Sequence, residues 1–173
     1  MIIRPEQLED YEAIARVVRA AFEGRPNEAR LVELLRAPEI YIPELALVAE
    51  EDGAIVGHVM TTYATLEGDE TRRVLSLAPV SVAPERQGEG IGGALMSESI
   101  ARADALGEPV IVLLGHPSYY PRFGFERARA LGIEPPSPAF PDAAWMARKL
   151  SKYDARWRGR VVYPSAFAET GTG

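Results

Sequence analysis

A glycine-rich segment near the middle of the chain reads Val82-Ala83-Pro84-Glu85-Arg86-Gln87-Gly88-Glu89-Gly90-Ile91-Gly92-Gly93. It follows an apolar stretch with strand character and continues into a stretch whose apolar residues recur at helical spacing. The four glycines between positions 88 and 93 let the backbone approach a ligand closely, and the first N–H groups of the following helix have no partner within that helix. The segment therefore predicts an anion cradle, with a pyrophosphate as its best-fitting occupant.

Two other phosphate-binding loops fit this segment poorly. The phosphate loop of nucleoside triphosphatases ends in Gly-Lys-Ser/Thr, whereas the first lysine of this chain is Lys149. The dinucleotide fingerprint Gly-x-Gly-x-x-Gly is formally met, but it requires a carboxylate at the end of the next strand to hold a ribose. The next apolar run, residues 110–114, is followed instead by Gly115-His116. Nicotinamide-dependent redox chemistry is therefore a weak alternative, and a purely structural tight turn is another.

A third pattern fits the segment and is joined by a second match further along the chain. Gln87-Gly88-Glu89-Gly90-Ile91-Gly92 matches Gln/Arg-x-x-Gly-x-Gly/Ala. In Ser118-Tyr119-Tyr120-Pro121-Arg122-Phe123-Gly124-Phe125, a tyrosine stands four residues before a Gly-Phe pair. With both elements in this order and a predicted strand between them, the chain resembles the GCN5-related N-acetyltransferase (GNAT) family over residues 74–126. The preceding residues are compatible with that family, and the segment after residue 126 carries none of its motifs.

The resemblance implies a single α/β domain over residues 1–173, with a mixed, mostly antiparallel sheet flanked by helices. In this fold the strand before the cradle is parallel to the strand after the next helix, and the two splay apart to form a ligand cleft. The sequence pattern predicts helices over 8–22, 27–36 and 91–106 and strands over 2–3, 45–50, 54–64, 73–82, 109–114, 144–150 and 160–163. Pro79 predicts an irregular or bulged strand, because proline has no N–H for the ladder. The segment from about 165 to 173 is predicted to fray.

The resemblance also implies acetyl-coenzyme A (acetyl-CoA) as the cosubstrate, with no metal ion. The pyrophosphate would be held by the cradle residues, Gln87, Gly88, Glu89, Gly90, Ile91, Gly92 and Gly93. The pantetheine arm would pair with the backbone of the preceding strand at Val80, Ser81 and Val82, where N–H groups would also polarise the thioester carbonyl. The acceptor would be a primary amine on an unidentified small molecule or protein.

Acetyl transfer by direct attack requires a neutral amine and a proton for the departing thiolate. Tyr120 matches the tyrosine that serves as general acid in the family, and a phenol with a pKa of about 10 keeps its proton at neutral pH. Many family members carry a glutamate base on the strand before the cradle, but residues 75–82 contain no carboxylate. His116, Glu28 and His58 are the alternatives, together with bulk water. A non-catalytic acyl-CoA sensor and a transferase for longer acyl-CoAs therefore stay open as alternative functions.

Composition limits the remaining function classes. The 173 residues are 47% hydrophobic and 25% charged, which is typical of one soluble globular domain. The chain has no cysteine, which excludes disulfides, thiolate metal sites and a cysteine acyl-enzyme. A formal net charge of −6 disfavours general nucleic-acid binding, and no apolar run suits a signal peptide or a membrane span. The sequence thus predicts a cytoplasmic protein without nucleic-acid or membrane partners, and it leaves a homodimer open.

Overall fold

A computed structural model describes residues 1–172 of the chain. Its strands are β1 (Ile2–Pro5), β2 (Ala46–Glu51), β3 (Ala54–Glu67), β4 (Thr71–Val82), β5 (Val110–Leu114), β6 (Glu126–Arg127), β7 (Ile133–Glu134), β8 (Trp145–Lys149) and β9 (Gly159–Val162). Its helices are α1 (Tyr11–Ala21), α2 (Pro26–Leu34), α3 (Ile91–Ala105) and α4 (Ser165–Thr170). In this part of the chain no helix is both long and apolar enough to cross a membrane.

All nine strands belong to one mixed sheet in the order β1-β2-β3-β4-β5-β8-β6, with β9 pairing both β3 and β7. Strands β1 to β4 form an antiparallel meander, and β5 pairs antiparallel with β8. The β4 and β5 strands are parallel because α3 carries the chain from the end of one back to the start of the other. The prediction of a mixed sheet flanked by helices is confirmed.

The parallel strands β4 and β5 are in register at two positions, Leu75 with Ile111 and Ser76 with Val112. Beyond Ser76, β4 continues to Val82 along β3 without β5 at its other edge. The β3–β4 ladder shifts register between Val59 and Thr61, opposite Pro79. Since proline cannot donate to the ladder, this irregularity is where Pro79 predicted it. The consequence is a cleft between the carboxyl ends of β4 and β5.

Both faces of the sheet are covered by helices. On one face α3 buries Leu95, Met96 and Ile100 against sheet residues that include Leu75 and Ile111. On the other face α1, α2 and α4 contribute apolar side chains to a second cluster, including Ile14, Val18, Val32, Leu35 and Phe167. Burying each of these large side chains contributes about 1.5–3 kcal/mol. The two layers hold the rims of the cleft at fixed positions relative to the sheet.

The prediction that the chain frays from about residue 165 is wrong for residues 165–172. Ser165–Thr170 forms α4, in which Ala166 and Phe167 are buried. The ring of Phe167 stacks on that of Tyr163 with centroids 4.2 Å apart. The polar composition suggested a free tail, but the apolar contact of Phe167 fixes the segment against the second core cluster. Gly173 lies outside the described residues.

Candidate active site

Two adjoining cavities open at the splayed ends of β4 and β5. The larger, of about 590 Å³, extends along β4 and the residues after β5. The smaller, of about 500 Å³, lies over the start of α3. The residues common to the linings of both are Val82, Gln87, Gly92 and Tyr119. The two cavities therefore form one continuous cleft that runs from the glycine-rich segment to the far rim of the sheet.

The glycine-rich segment forms the loop and first turn that the sequence predicted. Gly88 and Gly90 both have φ of +85°, a conformation that residues with a Cβ rarely adopt. Gly90 is the N-cap of α3 and has no side chain to cap the helix, and the first turn contains no acidic residue. Within residues 1–172, no capping side chain and no acidic residue of the first turn therefore neutralises the partial positive charge at this helix start. Gly88, Gly90, Ile91, Gly92 and Gly93 all line the smaller cavity.

Two arginines stand beside the cradle, and their partners differ. Arg86 forms ion pairs with both Glu51 and Glu89. The carboxylate of Glu89 is thus turned toward Arg86, and Glu89 does not line either cavity. Arg122 lines the smaller cavity, with its guanidinium 4.6 Å from the ring centroid of Tyr119 and no carboxylate partner among the ion pairs of residues 1–172. Sequence reasoning missed Arg122 as a site residue, although it lies inside the aromatic segment.

The free edge of β4 presents backbone groups to the larger cavity. Ala83 donates its N–H to the Val56 carbonyl on β3. Because successive N–H groups of a strand alternate in direction, those of Val82 and Val80 point away from β3, toward the cleft. The Val82 carbonyl accepts a hydrogen bond from the Gln87 side chain at 3.3 Å. Val80, Ser81 and Val82 all line this cavity, as does Gln87.

Tyr120 lies where a short helical turn begins after β5 and lines the larger cavity. Its ring makes edge contacts with Tyr119 at 5.1 Å and with Phe125 at 5.9 Å between centroids. A Cβ on Gly115 would overlap the same ring, so the glycine after β5 makes room for it. Burial, with a smaller contribution from Tyr119, raises the pKa of Tyr120 to about 12. The phenol is therefore protonated throughout the physiological range.

The three candidate bases differ in whether they line the larger cavity. His116 is exposed and lines the larger cavity. Glu28, in the first turn of α2, lines the same cavity, and its Oε2 atom is shielded from solvent without a hydrogen-bond partner in residues 1–172. His58 is fully buried and does not line the cavity. Tyr120, His116 and Glu28 are thus brought to one cavity, whereas His58 is not.

His58 belongs instead to a buried polar network on the α1 and α2 side of the sheet. Its Nε2 atom lies 3.0 Å from Glu6 Oε2. Arg36 donates two hydrogen bonds to the Glu6 carboxylate, at 2.8 and 3.0 Å, and the Tyr41 hydroxyl donates a third at 3.0 Å. Burial opposes the ionised form of Glu6, but the hydrogen bonds from His58 and Arg36 outweigh it and lower the pKa of Glu6 to about 2. The network joins the segment after α2 to the sheet.

Part of the lining of the larger cavity is apolar and lies outside the glycine-rich segment and the Tyr120 segment. Its side chains belong to α1 and the residue after it, to α2, to β4 and to α4: Ala21, Phe22, Leu31, Ala78 and Phe167. No lysine or arginine lines this cavity within residues 1–172. The same part of the chain contains no cluster of three or more metal-ligating side chains. Sequence reasoning did not identify this wall, because its members share no local pattern.

Comparison with known proteins places this architecture in one family. A family model described as an acetyltransferase (GNAT) domain matches residues 2–128. The uncharacterized N-acetyltransferase YjhQ of Escherichia coli is 36% identical over 156 residues, covering 88% of this chain and 86% of YjhQ. The crystal structure of YhbS from Escherichia coli in complex with CoA matches with a TM-score of 0.87 at 30% identity, covering 96% of this chain and 91% of YhbS. A GNAT family acetyltransferase from Brucella melitensis in complex with acetyl-CoA matches with a TM-score of 0.78 at 34% identity, covering 96% and 97% of the two chains. This chain belongs to the GNAT family of acetyltransferases.

Proposed function

We propose that this protein transfers the acetyl group of acetyl-CoA to a primary amine. The observation that carries the proposal is the continuity between the two cavities. An uncapped helix start built from glycines leads directly into a cavity that contains a protonated tyrosine. The first suits a pyrophosphate, and the second suits the thioester and its acceptor. The relatives from Escherichia coli and Brucella melitensis with bound CoA and acetyl-CoA support the same cosubstrate.

Each part of the cosubstrate has a matching region in the cleft. The pyrophosphate would lie against the N–H groups of residues 88–93, near Arg122, which has no ion-pair partner within residues 1–172. The pantetheine amides would pair with the free edge of β4 at Val80 and Val82, with Ser81 between them. Glu89 would contribute through its backbone, because its side chain is engaged by Arg86. No metal ion takes part in this scheme.

The transfer would proceed by direct attack. The amine nitrogen forms a bond to the acetyl carbon, and the electron pair of the carbon–sulfur bond leaves with sulfur. Tyr120 donates its proton to the departing thiolate, the nitrogen releases its excess proton to solvent as the amide forms, and Tyr120 recovers a proton from solvent. The amine must lose a proton to become a nucleophile, and His116, Glu28 or bulk water would accept it, since these groups face the cavity while β4 supplies no carboxylate. An amide and free CoA result.

Two alternatives rest on specific features. The absence of a carboxylate from β4 favours a non-catalytic acyl-CoA sensor. The volume of the larger cavity would also admit a longer acyl chain. From the sequence we also propose that the protein is cytoplasmic, and homodimerisation stays open.

The proposal is tested first by ligand-induced stabilisation. Acetyl-CoA, longer acyl-CoAs, free CoA, NAD and NADP are added separately, and the melting temperature is measured. A ligand at a hundred times its dissociation constant adds about 2.7 kcal/mol, or roughly 5–10 °C for a domain of this size. Stabilisation by acetyl-CoA, followed by amine-dependent release of the CoA thiol, is the expected result. Stabilisation without thiol release from any amine would favour the sensor, and stabilisation only by a dinucleotide would refute the cradle assignment.

A further inference from the structure

One wall of the larger cavity combines an unpartnered carboxylate with apolar side chains. Glu28 projects from the first turn of α2, and the N–H groups of that helix start supply no hydrogen bond to its Oε2 atom. The oxygen is shielded from solvent, and no side chain or backbone group within residues 1–172 donates to it. A buried carboxylate oxygen without a donor costs free energy, which a cationic ligand group would offset.

The surroundings of Glu28 restrict what that ligand can be. Apolar side chains line the same cavity, namely Phe22 just after α1, Leu31 on α2 and Phe167 on α4. Two of these are aromatic, and all three suit contact with an aromatic or aliphatic body. The cavity lining includes no arginine or lysine in the described part of the chain, so a carboxylate or phosphate on the acceptor would find no counter-charge. Among residues 1–172, a polycation would find a single carboxylate in this lining, that of Glu28.

Resting on the proposed acetyl transfer, we infer that the acceptor is a small primary monoamine on an apolar body, and that Glu28 determines this specificity by binding its ammonium group. Such a ligand supplies donors to Oε2 and buries its hydrocarbon part between Phe22, Leu31 and Phe167. Amino acids are rejected because their carboxylate would be desolvated without a partner. Polyamines are rejected because their additional ammonium groups would be desolvated against apolar side chains.

The inference is tested with phenethylamine as probe, and with free phenylalanine and spermidine as comparison acceptors. Initial rates of CoA release give kcat and KM for wild type, Glu28→Gln and Glu33→Gln. Glu33 is the matched control, because it lies on α2, accepts a hydrogen bond from Arg30 and does not line the cavity. A second readout needs no turnover: the rise in melting temperature when phenethylamine is added to the CoA-saturated protein.

Wild type should use phenethylamine with a kcat/KM at least about tenfold above that for phenylalanine or spermidine. Glu28→Gln should raise KM for phenethylamine about 10- to 100-fold and abolish its effect on the melting temperature, while stabilisation by acetyl-CoA is unchanged. Glu33→Gln should behave as wild type. A preference for spermidine or phenylalanine would overturn this inference but not the proposed acetyl transfer. An unaltered KM in Glu28→Gln would do the same. Loss of the wild-type response to acetyl-CoA would instead overturn the proposed function on which it rests.

Discussion

The ring of Tyr120 fills the space that a Cβ on Gly115 would occupy. Gly115 cannot withdraw easily, because its N–H donates to the Ala144 carbonyl at 2.9 Å. We therefore expect Gly115→Ala to displace the Tyr120 ring and to destabilise the protein by about 1–3 kcal/mol, as overpacking does. Turnover should fall while the dissociation constant of acetyl-CoA stays the same. Steady-state kinetics, ligand binding and urea unfolding measure the three quantities.

A double variant separates this steric effect from any other role of Gly115. In a Tyr120→Ala background the ring is absent, so adding Gly115→Ala should change neither stability nor residual activity further. Additive losses in the double variant would mean that Gly115 acts independently of Tyr120.

The glycine-rich loop at the start of α3 could be predicted from the sequence, and Tyr120 could be selected as a candidate, because each depends on local features. Glycines at fixed spacing, a preceding strand and a following helix are all visible within about twenty residues. The apolar wall was missed because it is assembled from Phe22, Leu31 and Phe167, which are far apart in the chain and share no pattern. The α4 helix was missed for a related reason. Its six residues are held by the contact of Phe167 with Tyr163 rather than by helical periodicity.

Gly90 and Gly107 allow a controlled test of the cradle, because they stand at opposite ends of α3. Both have positive φ, of +85° and +80°, and neither has an atom within 4 Å of its would-be Cβ. Alanine at either position should therefore cost a similar amount, about 1–2 kcal/mol, through backbone strain alone. Only Gly90→Ala should also weaken acetyl-CoA binding, measured by calorimetry. Equal affinities of the two variants for acetyl-CoA would mean that Gly90 is not part of the binding site.

Arg122 is expected to bind a phosphate of CoA, because it lines the smaller cavity without a carboxylate partner among the ion pairs of residues 1–172. Arg122→Ala should raise the dissociation constant of CoA about tenfold or more, as expected for losing one charge-assisted hydrogen bond. The weakening of CoA binding with added salt should also become less steep in the variant. Arg127→Ala is the control, since Arg127 is exposed, pairs with Asp142 and lines neither cavity. Equal effects of the two substitutions would argue against a specific contact.

The pH dependence of turnover distinguishes Tyr120 from the base. If Tyr120 is the general acid, Tyr120→Phe should lower kcat by roughly 10²-fold or more and leave acetyl-CoA affinity nearly unchanged. Burial raises the pKa of Tyr120 to about 12, so we expect its ionisation to produce no fall in rate between pH 7 and about 10. A pH–rate profile for wild type should therefore have no tyrosine-dependent alkaline limb in that range. A limb that disappears in Tyr120→Phe would contradict this assignment.

The buried pair of His58 and Glu6 should make the protein less stable in acid. Burial lowers the pKa of His58 below its ordinary value of 6.5, although the hydrogen bond and charge of Glu6 partly oppose this. Below pH 6.5 the unfolded chain therefore binds a proton that the folded protein does not. The free energy of unfolding should then fall by up to about 1.4 kcal/mol per pH unit as the pH decreases. The pKa of Glu6, lowered from 4.5 to about 2, adds a further loss only below about pH 4.5.

Between pH 6.5 and 5, the change in the free energy of unfolding should therefore come from His58, which is one of two histidines in the chain. Urea unfolding at pH 7.5, 6.0 and 5.0 should show a declining stability for wild type. The His58→Gln variant should be less stable at pH 7.5 but nearly independent of pH in this window, because glutamine keeps a donor for Glu6 and does not titrate. The other histidine provides the control, since His116 is exposed and His116→Gln should retain the wild-type decline. A decline that survives in His58→Gln would mean that groups other than the buried imidazole cause the loss of stability.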